Sequence, residues 1–336
     1  MTNNTLPCAV VRDLLPSYVD GLTEEETTKL VEGHLQQCQH CRRLHAVMAR
    51  GEASGAEEAA AVDYLKTVRK RSTRRVVLSV LLACLILLGG IGGKLFIWGS
   101  SVDPGDLRYE AKLLQQDSEP VLDLTVYTPG SATVLTGQKV ELREDQSADL
   151  YVKQALASAL NRSGTTNFLL PISQLSAIRL LDMPIYESGL LITDDTNALW
   201  ALRTPYVGNA SALGALTAAS PLRQLPLSFT NSLQTDAEPY GWTWVFQDEP
   251  TEGQLETIEK TAVLMLALVD NLSEMHWAYA ESLSGGISLP EADTLVQQLA
   301  KDYNAGHGTA WDAGRSVKDY AESPCSLQQL REILGI

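Results

Sequence analysis

The chain has 336 residues, enough for two or three domains, and 45% of them are hydrophobic, which excludes a disordered protein. Its formal net charge is -15. Residues 99–336 carry 14 basic and 31 acidic residues, a net of -17, whereas residues 1–98 carry 12 and 10, a net of +2. This imbalance argues against direct nucleic-acid binding by the acidic part.

Two helical patterns open the chain, on either side of the turn signal Asp20-Gly21. The second pattern begins with a predicted capping box, in which Thr23 and Glu26 satisfy backbone N–H groups of the first turn. The first pattern spans about residues 8–19 and places on one face Val11, Leu14, Leu15 and Tyr18. We therefore expect a small all-α hairpin.

A metal site is predicted in EGHLQQCQHC, where His34 and Cys38 lie four residues apart on one helical face and Cys41 follows three residues later. A closed structural zinc site needs four ligands, and a hairpin would bring Cys8 close. His40 and His45 compete for that fourth place. Because so short a segment cannot hold a core unaided, we favour Zn²⁺ over a metal-free hairpin with buried thiols or a redox pair. The predicted ligands are Cys8, His34, Cys38 and Cys41.

The segments CAVVRDLLPSYVDG and LTEEETTKLVEGHLQQCQHCRRL resemble the zinc-binding domain of anti-sigma factors over about residues 8–48. In that family, a histidine and a Cys-x-x-Cys pair bind zinc together with an upstream cysteine or histidine. The resemblance implies that this part of the chain grips an extracytoplasmic-function sigma factor and keeps it from RNA polymerase.

The next segment, residues 51–75, is helix-prone, with an expected break at 51–55. It is either a solvated stalk or, over residues 56–70, an amphipathic helix that lies in a groove of the partner. Its apolar side would consist of Ala59, Val62, Leu65 and Val68.

A single transmembrane helix is predicted at residues 76–98, because the run from Val76 to Gly93 contains no charged residue. Basic residues precede the run, and the acidic residues Asp103 and Asp106 follow it. By the positive-inside rule, the N-terminus is cytoplasmic and the C-terminal two thirds are extracytoplasmic. The basic residues are Lys66, Arg69, Lys70, Arg71, Arg74 and Arg75.

Residues 99–200 are predicted to form an extracytoplasmic α+β domain after a short linker at 99–106. The segments LDLTVYTP, TVLTGQKVELRE and SAIRLLDMPIYESGLLITDD have strand patterns, and SADLYVKQALASALNRSG is predicted to be a helix.

Residues 201–336 are predicted to form a second α+β domain, with helices on one face of an antiparallel sheet and a last helix beginning at Ser326. GWTWVF and MHWAYA have strand patterns, and PTEGQLETIEKTAVLMLALVDN and SLPEADTLVQQLAKDY have helical ones. The segments TPYVGNAS, LQTDAEPYGWTWVF and SVKDYAESPCSLQQLREIL resemble a domain of unknown function that ends anti-sigma-like proteins of Gram-positive bacteria. That resemblance brings no ligand.

The expected architecture is therefore a multidomain, single-pass membrane protein: helical zinc module, transmembrane helix, extracytoplasmic α+β domains. We expect an anti-sigma factor that releases its sigma factor on an envelope signal, with the lipid bilayer and a regulatory protease as further partners. The alternative is an envelope sensor whose zinc hairpin tethers a different cytoplasmic partner. No enzyme is expected, since His276 and His307 lack catalytic or metal-ligand spacing.

Overall fold

The computed structural model describes residues 6–116, 118–130, 132–159, 161–279 and 282–336, with backbone alone at 52–71 and 282–284. The chain divides into two compact units, an N-terminal unit of Met1–Gly89 and a C-terminal unit of Gly90–Ile336. The multidomain architecture predicted from the sequence is confirmed.

The N-terminal unit is helical, with α1 at Cys8–Val19, α2 at Glu25–Gln37 and α3 beginning at Gln39. The predicted capping box is wrong: Glu24 is the N-cap of α2 without a side-chain cap bond, and the hydroxyl of Thr23 lies 2.9 Å from that of Thr28. The Thr23 hydroxyl thus contacts the side chain of Thr28, one turn into the helix, and not the backbone N–H groups of the first turn.

Helix α3 runs without interruption from Gln39 to Gly93, so the break expected at residues 51–55 is wrong. A glycine inside a helix costs only about 1 kcal/mol, which the flanking helix-forming residues offset. The predicted apolar side at Ala59, Val62, Leu65 and Val68 lies outside the described side chains.

One segment among the described residues, Ser72–Trp98, is long and apolar enough to cross a membrane. Its 27 residues exceed the roughly 20 that span a hydrocarbon core of about 30 Å. The segment comprises the end of α3 and a π-helical turn at Lys94–Trp98, and none of its most apolar window is buried by other parts of the protein.

The first part of the C-terminal unit is β-rich. Its strands are β1 Ser100–Ser101, β2 Arg108–Gln116, β3 Glu119–Tyr127, β4 Thr133–Leu142, β5 Ser147–Leu156, β6 Thr165–Pro171, β7 Ala177–Leu180, β8 Met183–Glu187 and β9 Leu190–Leu191. One mixed sheet has the strand order β1-β5-β7-β8-β9, and β4 also pairs with β5. A three-stranded antiparallel sheet has the order β2-β3-β6.

Two expectations for this part are wrong. The segment 147–156, predicted to be helical, is strand β5, which pairs with β1, β4 and β7. Pairing on both sides and burial of residues such as Leu150 and Val152 outweigh the local helical propensity. The expected linker at 99–106 is also ordered, because Ser100 and Ser101 pair with Gln154 and Lys153 of β5.

The second part of the unit packs helices against a four-stranded sheet of order β10-β11-β12-β13. The sheet is mixed and not antiparallel as predicted, since β11 and β12 run parallel and are connected by α6. The last helix begins at Pro324, with Ser323 as N-cap, and not at Ser326. The elements are α4 Asp194–Ala201, α5 Ala210–Ala219, β10 Phe229–Gln234, β11 Gly241–Phe246, α6 Glu252–Leu268, β12 Glu274–Tyr279, β13 Ser282–Ser288, α7 Leu289–His307 and α8 Pro324–Leu334.

The two parts have separate hydrophobic clusters, and α8 of the second part contacts β8 and β9 of the first. The buried amide oxygen of Gln328 accepts hydrogen bonds from the Thr193 N–H at 3.1 Å and the Thr196 hydroxyl at 2.5 Å. Arg331 donates to both threonine hydroxyls. The N-terminus of α4 is thereby fixed to the last helix of the chain.

Candidate metal centre

The N-terminal unit brings together the four residues that the sequence spacing singled out. Gly21, with φ of +68°, reverses the chain between α1 and α2, so the start of α1 lies beside the end of α2. Cys8 is the first residue of α1, His34 lies in the last turn of α2, and Cys38 caps that helix. Cys41 lies in the first turn of α3.

The ligand atoms of Cys8, His34, Cys38 and Cys41 all lie within 4.8 Å of one another. The Cys8 sulfur is 3.7 Å from the Cys38 sulfur and 3.5 Å from Nε2 of His34. Tetrahedral zinc with bonds of about 2.3 Å to sulfur and about 2.0 Å to nitrogen places two sulfurs about 3.8 Å apart and a sulfur and a nitrogen about 3.5 Å apart. The donor set and its spacing therefore fit a zinc ion.

The two thiols of the Cys-x-x-Cys pair have different surroundings. The backbone N–H of Cys41 hydrogen-bonds the Cys38 sulfur and lowers the pKa of that thiol to about 6. Burial raises the pKa of the Cys41 thiol to about 11. Because zinc binds thiolates, loading the site displaces the proton of Cys41, and the metal supplies the positive charge that a buried thiolate requires.

Arg42 is a supporting residue that the sequence reasoning missed. Its guanidinium donates to the backbone carbonyls of Leu35 at 3.0 Å and Gln36 at 2.5 Å, the last turn of α2. These bonds satisfy otherwise free helix-end carbonyls and tie the start of α3 to the end of α2. A basic residue just after a predicted helix end is the signal that could have identified it.

The two competing imidazoles lie elsewhere. His40 is exposed, and the ring of His45 contacts Tyr18, with centroids 5.5 Å apart. The apolar core under the cluster is small and contains Val11, Leu15, Val31 and Cys41 as its fully buried members. Half-buried side chains pack against it: Leu6, Leu14, Tyr18, Leu35, Cys38, Leu44 and Met48.

The histidines of the C-terminal unit lie outside this cluster. Nε2 of His276 is 3.2 Å from a carboxylate oxygen of Glu274, and the ring of His307 stacks on Tyr303 at 4.0 Å. The thiol of Cys325 is buried, which raises its pKa to about 11 and keeps it protonated. Among the described residues, three or more side chains of metal-binding type come together in one place, the cluster in the N-terminal unit.

A short helical hairpin that holds three thiols and one imidazole at zinc distances defines a zinc-finger module. The family model described as "Putative zinc-finger" matches residues 8–42, which contain all four residues. A second model, a domain of unknown function (DUF4825), matches residues 199–287, which contain the first two segments of the second resemblance but not the third.

Anti-sigma-YlaC factor YlaD of Bacillus subtilis (strain 168) is 36% identical over 70 residues, which cover 21% of this chain and 72% of that protein. The chain thus belongs to the zinc-finger anti-sigma factor family, whose members are regulatory proteins rather than enzymes. No solved structure matches it.

Proposed function

We propose that the chain is a single-pass membrane anti-sigma factor that sequesters an extracytoplasmic-function sigma factor and releases it on an envelope signal. The observation that carries the proposal is the four-ligand cluster within 4.8 Å at the end of the helical hairpin, in a segment similar to an anti-sigma factor. Cys8, His34, Cys38 and Cys41 are the proposed zinc ligands.

The metal has a mechanical role in this proposal. Zinc supplies cross-links between the start of α1, the end of α2 and the start of α3, and the chain's own residues present the binding surface. Val10, Leu22 and Val47 are 41, 77 and 67% exposed, a large apolar exposure for a module with so small a core. We propose that the sigma factor covers these side chains, as an apolar groove covers the face of a helix.

The proposed orientation places residues 1–75 in the cytoplasm. Arg74 and Arg75 are exposed at one end of the apolar segment, and Asp103 and Asp106 follow the other end. The positive-inside rule then assigns the basic end to the cytoplasm. The proposed domains are 1–50, 51–75, 76–98, 99–200 and 201–336, with the last two outside the membrane, where a regulatory protease or a conformational change would start release.

Co-purification tests the proposal. Full-length protein carrying an affinity tag is co-expressed with each candidate sigma factor, solubilised in mild detergent and purified. We expect one sigma factor to co-purify with the wild type and with His40→Ala, whose imidazole is exposed, but not with Cys38→Ala. Failure of every sigma factor of the host to bind the wild type would contradict the proposal.

A further inference from the structure

A cavity of about 230 Å³ lies in the C-terminal unit, where four segments meet. These are the connector Pro104–Arg108, which follows the membrane segment, the turn between β7 and β8, helix α4 and the start of α8. The walls are mainly apolar and include Leu107, Met183, Pro184, Ala198, Trp200 and Pro324. Since drug-sized ligands occupy roughly 300–1,000 Å³, a cavity of this size suits one aromatic ring or a short alkyl chain.

The walls of the cavity are held in place without a ligand. The indole N–H of Trp200 donates to the carbonyl of Ala321 at 2.9 Å, and the guanidinium of Arg203 lies 3.6 Å from the ring centre. The buried amide of Asn197 donates to the Tyr109 hydroxyl and to the Pro184 carbonyl, each at 2.8 Å. A preorganised cavity loses little conformational entropy on binding.

The turn at the cavity rim uses an unfavourable sequence. Leu181 and Asp182 are the two residues between β7 and β8, and both have positive φ, 49° and 70°. Two-residue hairpin turns of this kind favour Asn-Gly, because side chains at positive φ cost of order 1 kcal/mol or more. With aspartate at the second position, the strained turn places a carboxylate at the rim.

The rim has more negative than positive groups. Asp194 is 20% exposed, accepts a hydrogen bond from the Tyr109 N–H, and has Arg108 Nε at 3.7 Å, too far for a hydrogen bond. Arg108 instead donates to the carbonyls of Leu107 at 2.7 Å and Gly105 at 3.3 Å. Burial raises the pKa of Asp194, because the desolvation of this carboxylate outweighs the attraction of Arg108.

We propose that this cavity binds a small organic cation, an amine that carries one apolar group. The apolar group lies against Trp200 and Met183, and the ammonium pairs with Asp194 and Asp182. The net charge of -17 over residues 99–336 attracts such cations at long range and repels carboxylates of the same shape. Free amines and the basic residues of a peptide share this chemistry.

Fluorine NMR on the full-length protein in phosphatidylcholine nanodiscs tests the proposal, with empty nanodiscs as the blank. The probes are 4-fluorophenethylamine, 3-(4-fluorophenyl)propionate and 3-(4-fluorophenyl)propan-1-ol. We expect saturable binding of the amine and at least roughly tenfold weaker binding of the other two. Displacement of the amine by a phenylalanyl-arginine amide at lower concentration would support the same ligand class and identify a peptide source.

Two variants localise the binding. Ala198→Phe fills the cavity and should abolish amine binding, and Asp194→Asn should weaken it at least roughly tenfold. The matched control is Asp195→Asn, an exposed neighbour that does not line the cavity. If Ala198→Phe does not fold, the difference in amine binding between Asp194→Asn and Asp195→Asn decides whether the amine binds at the cavity. Equal binding of amine and carboxylate, or unchanged amine binding by folded Ala198→Phe or by Asp194→Asn, would overturn the proposal.

Discussion

The zinc-finger module and the C-terminal unit hold their folds in different ways. The fully buried core of the module consists of Val11, Leu15, Val31 and Cys41, whereas every residue of α6 and its cap from Ala262 to Val269 is at most 1% exposed. A core of four side chains is too small to offset the entropy of ordering the module. The metal must therefore supply what hydrophobic burial supplies in the C-terminal unit.

This difference has a functional consequence. The proposed partner-binding surface of the module should exist only while its ligands are bound to the metal, so partner binding should depend on zinc. The C-terminal unit should keep its cavity and sheets with or without the metal. The following variants test whether the two regions respond as differently as this account requires.

The largest effect is expected for Cys38→Ala. Structural zinc contributes about 10–16 kcal/mol of apparent binding free energy in small modules, more than the small core can replace. Hydrogen exchange of the full-length protein should show amides of α1 and α2 exchanging as in an unfolded chain, with unchanged protection in α6 and β11. His40→Ala is the control and should behave as the wild type. Persisting protection of α1 and α2 in Cys38→Ala would contradict the claim that the metal, and not the hydrophobic core, stabilises the module.

Gly99→Ala should destabilise the C-terminal unit alone. Gly99 has φ of +67°, and an added Cβ would lie 2.5 Å from the carbonyl oxygen of Gln154, where the membrane segment meets β5. We expect a loss of roughly 3 kcal/mol in denaturant unfolding. Tryptophan fluorescence measures it, because all six tryptophans lie at or beyond residue 98.

Gly189→Ala is the matched control for Gly99→Ala. Gly189 also has positive φ, +85°, but an added Cβ would meet nothing within 4 Å, so the loss should be only about 1 kcal/mol. Equal losses in the two variants would show that close packing at Gly99 contributes nothing.

A smaller loss, about 1–2 kcal/mol, is expected for Gln328→Leu, because donors of Thr193 and Thr196 lose their buried acceptor. The same fluorescence experiment measures it, and Gln329→Ala, at a half-exposed neighbour, is the control. Zinc content should be unchanged in both. A wild-type unfolding midpoint for Gln328→Leu would show that this junction does not stabilise the unit.

The smallest effect is expected for Lys29→Ala, which removes the ion pair with Glu25 on α2. The two side chains are 70 and 87% exposed, and solvent screens such pairs. Zinc affinity measured by chelator competition should stay within about twofold of the wild type. A larger change would mean that surface charges, and not the metal alone, stabilise the module.

The sequence was most informative where spacing determines geometry. The i, i+4 spacing of His34 and Cys38 and the turn at Asp20-Gly21 sufficed to predict the cluster, and an uninterrupted apolar run sufficed for the membrane segment. Strand β5 could not be predicted, because its pairing with β1 and β7 depends on residues distant in sequence. The cavity could not be predicted either, since its walls come from four separate segments, near residues 105, 183, 198 and 324.

X-ray absorption at the zinc edge, on full-length protein purified without chelator, tests the central claim most directly. The account predicts one zinc ion per chain, with three sulfur neighbours at about 2.3 Å and one nitrogen at about 2.0 Å. Two sulfurs with two nitrogens would show that a second histidine replaces a thiol. A folded module without stoichiometric zinc would contradict the account altogether.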